Sequence, residues 1–92
     1  MPDIQIQHHE QQGRFDTRVD GQLCVLDYQL RDGTMIIQHT GVPPAVGGRG
    51  IAAELTPAAL DTARQRGWRV RPVCSYAVAY LARHPEYQDL AA

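Results

Sequence analysis

The residues best suited to chemistry gather around one glycine-rich turn. Gly47-Gly48-Arg49-Gly50 leads directly into Ile51-Ala52, with a β-forming stretch before it and a helical stretch after it. The first amides of a helix have no internal partner and lie at the positive end of its dipole, so such a turn can cradle a diphosphate. Glycines let an anion approach the backbone closely, and Arg49 adds a guanidinium suited to phosphate oxygens. On its own the pattern fits either an anion-binding turn or a purely structural loop. A P-loop would need Lys-Ser or Lys-Thr after the last glycine, where Ile51-Ala52 stands. Gly48-x-Gly50-x-x-Ala53 matches the Rossmann fingerprint on paper, but that fold places it after the first strand of a parallel sheet, with an acidic residue ~20 residues on. Here hairpin signals precede it and the next strand ends in Val70-Arg71-Pro72, which disfavours NAD.

Two cysteines, Cys24 and Cys74, lie far apart with no CxxC or Cys/His ligand spacing, so neither a disulfide framework nor a metal site is indicated. Cys24 falls mid-strand among apolar residues and reads as core. Cys74 ends a strand just before a helix that begins near Ser75. It is either a nucleophile whose thiolate the helix amino end supports, or a buried, inert thiol. His39 shares a strand face with Met35 and Ile37, which predicts a hydrogen-bonded core histidine in preference to a catalytic base. His84-Pro85 reads as a helix start, His8-His9 as a solvated pair near a loose terminus, and Arg83 as a surface charge.

The elements that must position these groups follow from periodicity. Phe15, Thr17 and Val19 alternate with Arg14, Asp16 and Arg18, the pattern of a half-solvated strand. Asp20-Gly21 and Asp32-Gly33 are hairpin turns. Leu23 to Leu30 is apolar on both faces, which predicts a central strand covered on both sides. Met35 to Val42 is the next strand, stopped by Pro43-Pro44, and the alternation of Ile4 and Ile6 predicts a short earlier strand around Ile4 to Gln7. From Gly50 to Arg66 the four-residue spacing of Ile51, Leu55, Ala59 and Ala63 marks a helix closed by Gly67. Pro57 interrupts it, which predicts either a kink or a second helix capped by Thr56. Trp68 to Cys74 returns as a strand, parallel to the one ending at Val42 because a helix intervenes. Ser75 to Leu81 is helical, with a last short turn from His84 onward.

The chain of 92 residues suits a single core and a single domain over residues 1–92. With 43% apolar and 21% charged residues it is expected to fold, alone or as a homodimer. A net charge of −1 with scattered basic residues argues against nucleic acid. No apolar run approaches the ~20 residues of a membrane span and the start is polar, so the expected setting is cytoplasmic.

Four segments then occur in order: His39-Thr40-Gly41-Val42-Pro43, Gly48-Arg49-Gly50-Ile51-Ala52, Pro72-Val73-Cys74-Ser75-Tyr76 and His84-Pro85-Glu86-Tyr87. Together they resemble the small YjdJ-like or NATD1-like branch of the GNAT N-acetyltransferases, from about Arg14 to Leu90. The resemblance implies a minimal GNAT acyl-CoA N-acyltransferase fold of the α/β (α+β) kind, a mostly antiparallel sheet with one parallel crossover around a central helix. It implies acetyl-CoA as co-substrate and an unidentified amine as acceptor. The family's Q/R-x-x-G-x-G/A motif holds the coenzyme A pyrophosphate, and Gly50-Ile51-Ala52 fill its second half beside Gly48 and Arg49. Gly47 stands where that motif usually has Gln or Arg, so one side-chain contact is missing.

By the same resemblance two splayed strands, Met35–Val42 and Arg69–Cys74, admit pantetheine, with Thr40, Gly41 and Val42 lining its arm. Cys74 would project toward the thioester, and Tyr80 matches the tyrosine that protonates the departing thiolate, a phenol being able to donate toward sulfur. Tyr80 could equally be a packed aromatic. The helices that the larger family fold inserts between its first two strands have no room at Asp20-Gly21, which implies an open acceptor surface. Acetyl transfer to an amine, direct or through acyl-Cys74, is the leading expectation, and a non-catalytic acyl-CoA binding or sensing module is the alternative.

Overall fold

The computed structural model describes residues 4–92. Five strands, β1 (Gln7–His9), β2 (Arg14–Val19), β3 (Gln22–Arg31), β4 (Thr34–Gly41) and β5 (Arg69–Pro72), form one sheet in chain order. Two helices, α1 (Ala52–Arg66) and α2 (Ser75–Arg83), follow β4 and β5. Pairings are antiparallel as far as β4, and β4 pairs with β5 in parallel through α1. The minimal α+β architecture is therefore as expected, hairpins at Asp20-Gly21 and Asp32-Gly33 included. The edge strand is displaced: it covers Gln7–His9, while Ile4 and Ile6 pack half-buried against the core.

Nearly all burial lies on one face of the sheet. Phe15, Cys24, Leu26, Tyr28, Met35, Ile37 and Val70 meet Leu55, Ala59, Leu60 and Ala63 of α1 and Ala77 and Leu81 of α2. The reading of β3 as covered on both sides is wrong: Leu23 is 38% exposed and Val25 half-buried. With no helix between β2 and β3, nothing lies over that face among the described residues. The helix α1 runs unbroken through Pro57 and Thr56 starts no second helix; its hydroxyl donates to the Ala52 carbonyl at 2.8 Å. The carbonyl that Pro57 leaves without a donor belongs to exposed Ala53, where water can serve it.

A bulge in β4 overturns the reading of His39. Ile37 pairs with Tyr28, but His39 pairs with Asp27 and Thr40 with Leu26, so Gln38 is one residue in excess. Alternation flips there: Met35 and Ile37 point into the core, Thr40 follows on the same side, and His39 is turned out and exposed.

His8 and His9 are not a solvated pair. The His8 ring stacks on Phe15 at 4.0 Å and its Nε2 lies 2.6 Å from the Tyr28 hydroxyl, while His9 meets Asp16 at 3.1 Å. Burial is the main cause holding the His8 imidazole below its ordinary pKa of 6.5. The unfolded chain therefore binds a proton first as pH falls, and stability should drop through the range just below 6.5. His8→Phe keeps the stack and removes the proton, so urea unfolding at pH 7.5 and pH 5 should show a smaller difference for the variant; an equal difference would contradict this.

Candidate functional site

The sheet parts where β4 outruns β5. The amides of Val73 and Cys74 both donate to the Ile37 carbonyl, at 2.9 and 3.1 Å, and pairing ends there. His39 to Gly41 thus have no β5 partner, leaving a gap between the two strands. The chain leaves β4 at Val42-Pro43, and a 3-10 turn over Pro44–Val46 anchors itself with buried Val46. Gly47 takes φ −65°, a conformation any residue adopts, whereas Gly48 and Gly50 sit at φ +80° and +76°. These two left-handed positions turn successive amides outward.

Among the described residues no acceptor bonds the amides from Gly48 to Ala53. No side chain caps α1: Ile51, 2% exposed, occupies the cap position, and its carbonyl receives the amides of Glu54 and Leu55. A run of open amides at the start of a 15-residue helix is a preformed acceptor for an anion. The groove above it, about 240 Å³, is walled by Val42, the three glycines, Ile51, Ala52, Ala53 and Tyr76. Five of the expected binding residues line this groove together with Val42; Arg49, Thr40 and Gly41 do not. The Arg49 guanidinium is held 2.6 Å from Asp20 on the β2–β3 hairpin, so its charge is already matched. Gly41 faces the opposite side of the sheet.

Thr40 meets Cys74. Its hydroxyl lies 3.6 Å from the sulfur, and the Ala77 amide donates to the same sulfur at 3.4 Å, which makes Cys74 the cap of α2. The cysteine is half-buried at the mouth of the gap, its sulfur accepting from the Ala77 amide and in contact with the Thr40 hydroxyl. Tyr80 is elsewhere, in a second groove of about 380 Å³ with Ala53, Tyr76, Ala79, Arg83 and His84. Its ring stacks on His84 at 3.7 Å. Burial, with Glu86 adding to it, pushes the Tyr80 phenol above its ordinary pKa, so it stays a proton donor through neutral pH.

Tyr76 is the residue that sequence reading passed over. It lines both grooves and joins them. The available signal was its spacing from Tyr80, since residues four apart share a helix face. Among the described residues no cluster of His, Cys, Asp and Glu could hold a metal, and no helix is long and apolar enough to cross a membrane.

Residues 14–90 match the family described as GCN5-related N-acetyl-transferase. The chain belongs to that family. Protein NATD1 of Mus musculus is 34% identical over 90 residues, 95% of this chain and 82% of that one. Protein NATD1 of Homo sapiens is 33% identical over 90 residues, 95% of this chain and 80% of its own length. A GCN5-like protein from Staphylococcus aureus, solved in solution by NMR, superposes with a TM-score of 0.77 at 28% identity, covering 100% of this chain and 91% of that one. This family of acyltransferases generally uses acetyl-CoA as donor. The open amides at Gly48 to Ala53, and the gap in front of them, suit a diphosphate joined to an extended arm.

Proposed function

We propose that the protein is an acetyl-CoA-dependent N-acetyltransferase that works on a small amine. The observation that carries this is the row of unpartnered amides at the start of α1, facing the place where β4 and β5 separate. Acetyl-coenzyme A, when bound, supplies an activated acyl group and a thiolate leaving group. Gly48, Gly50, Ile51 and Ala52 present amides to its diphosphate, Val42 and Tyr76 wall its path, and the freed edge of Thr40 and Gly41 flanks the gap. Tyr76 links this groove to the one holding Arg83 and His84, which gives the nucleotide end a route across α2. Two free cysteines suit a cytoplasmic setting, where thiols stay reduced.

Direct transfer to the amine is the primary route. Cys74, between the Thr40 hydroxyl and the Ala77 amide, is the group placed to accept an acyl chain if transfer is covalent. Cys74→Ala separates the routes: amine-dependent thiol release within about three-fold of the parent eliminates acyl-Cys74. Loss of turnover by 10³-fold or more, with acetyl-CoA affinity unchanged by calorimetry, establishes it. The whole reading is tested by thermal unfolding. Acetyl-CoA at ~100 times its dissociation constant should add ~2.7 kcal/mol, a rise of roughly 10–20 °C for a chain this small. No rise at millimolar ligand sinks it.

A second reading, a non-catalytic acyl-CoA sensor, draws on the position of Tyr80. Its ring is engaged with His84, in the groove that lacks Val42 and the glycines. Thiol release that no added amine accelerates would favour the sensor.

A further inference from the structure

We infer that the uncovered face of the sheet holds the acceptor, a small primary amine with an apolar body, and that His39 is the base that takes its proton. This rests on the acetyl-CoA reading above and adds to it a substrate class and a catalytic residue.

The bulge at Gln38 is what turns His39 to this face, opposite Asp27 of β3. The imidazole does not stand away from the sheet. It lies back along the strand, so that a Cβ on Gly41 would fall 2.8 Å from its Nε2. Only a glycine at Gly41 lets the ring rest there. Among the described residues the His39 imidazole has no hydrogen-bond partner, which leaves both ring nitrogens available to a substrate. Imidazole is the side chain most used for proton transfer near neutral pH.

Beside this ring Gly41, Val42 and Pro43 form one wall of a groove of about 420 Å³, with Leu23 and Val25 opposite and Arg14 at the rim. That volume suits a small ligand, not a folded partner. Val42 also lines the glycine-turn groove, so the two grooves meet across the end of β4, at the gap left by β5. An acyl group held in that gap is open to a nucleophile from the outer side. The walls are alkyl, and the Arg14 guanidinium is matched by two bonds to Asp27, at 2.7 and 3.2 Å. Beyond that pair, this face carries Asp16 and Arg18 of β2, Arg31 of β3 and Arg69 and Arg71 of β5, an excess of arginine whose field opposes a polycation.

The chemistry balances. The ammonium form of the acceptor loses one proton to His39, and the free amine nitrogen attacks the thioester carbonyl carbon. The C–N bond forms, the C–S bond breaks, and the electron pair leaves on sulfur. The nitrogen sheds a second proton, the thiolate takes one up, and the other passes from His39 to water. The net products are an N-alkylacetamide, free thiol and one released proton.

His39→Gln tests this with n-hexylamine as probe and spermidine and a lysine-containing peptide as contrasts. Three readouts are expected. Acetyl-CoA affinity by calorimetry stays within two-fold of the parent. Hexylamine-dependent thiol release falls about 10²- to 10⁴-fold. In the ligand-free protein, hexylamine shifts the amide resonances of Leu23, Val25 and Gly41 in both parent and variant. The inference is overturned if hexylamine leaves those resonances unmoved or supports no release in the parent, if the variant turns over within three-fold of it, or if only spermidine or the peptide is acetylated. A parent that fails to bind acetyl-CoA at all overturns the proposed function itself, which the calorimetry reveals separately.

Discussion

Gly50→Val should weaken acetyl-CoA binding by about 100-fold or more while the chain stays folded. A β-branched residue cannot hold φ +76° without strain of roughly 1–3 kcal/mol, so the turn relaxes and its amides swing away. Each amide lost to a charged oxygen removes roughly 1.5–3 kcal/mol, and two such losses exceed a 100-fold change. Nothing lies within 4 Å of the position a Cβ would take at Gly50, so the core does not feel the substitution. Gly47→Ala is the control: at φ −65° the backbone accepts alanine, and a Cβ would meet Pro44 only at 3.4 Å or beyond. Calorimetry should find that control within about three-fold of the parent. Equal affinity in both variants would mean that the amides of this turn do not hold the ligand.

Leu55→Ala should cost about 2–5 kcal/mol of stability, the usual toll of emptying a fully buried leucine site. Stability totals roughly 5–15 kcal/mol for a folded domain, so the fall is a large share of it. Leu55 stands in the first turn of α1, the helix that packs against β2, β3, β4 and β5, and no second core exists among the described residues to absorb the loss. Urea unfolding should show a lower midpoint with an unchanged slope. A midpoint equal to that of the parent would mean that α1 is not what holds the sheet.

Much of the architecture could be read from patterns that depend on near neighbours. The two Asp-Gly hairpins, the helix closed by Gly67 and the parallel return of β5 all arise from local turn chemistry or from periodicities of two and four. What stayed hidden depends on register across strands. Nothing in Met35-Ile-Ile-Gln-His-Thr marks Gln38 as a surplus residue, because the bulge exists only in relation to Tyr28 and Asp27 of the neighbouring strand. The same holds for His8, whose partners Phe15 and Tyr28 belong to two other strands. β3 departs from expectation for a different cause: apolar residues on both faces imply cover on both faces only where a second layer exists, and here Leu23 and Val25 line an open groove. In the site, the glycine turn was legible because backbone conformation dictates glycine. The pairing of Arg49 with Asp20 was not, since it joins residues 29 apart on two exposed turns.

The sheet runs in chain order from β1 to β5, and this bears on how the molecule assembles. Every antiparallel pair joins strands adjacent in the chain, so each can close as soon as its second strand exists, over loops of only a few residues. The loop-closure entropy is small at every step but one. The exception is the return of β5 to β4, which must wait for all of α1. That pairing also borders the gap between β4 and β5, so the candidate binding site depends on the one strand pairing of the sheet that has a long loop to close.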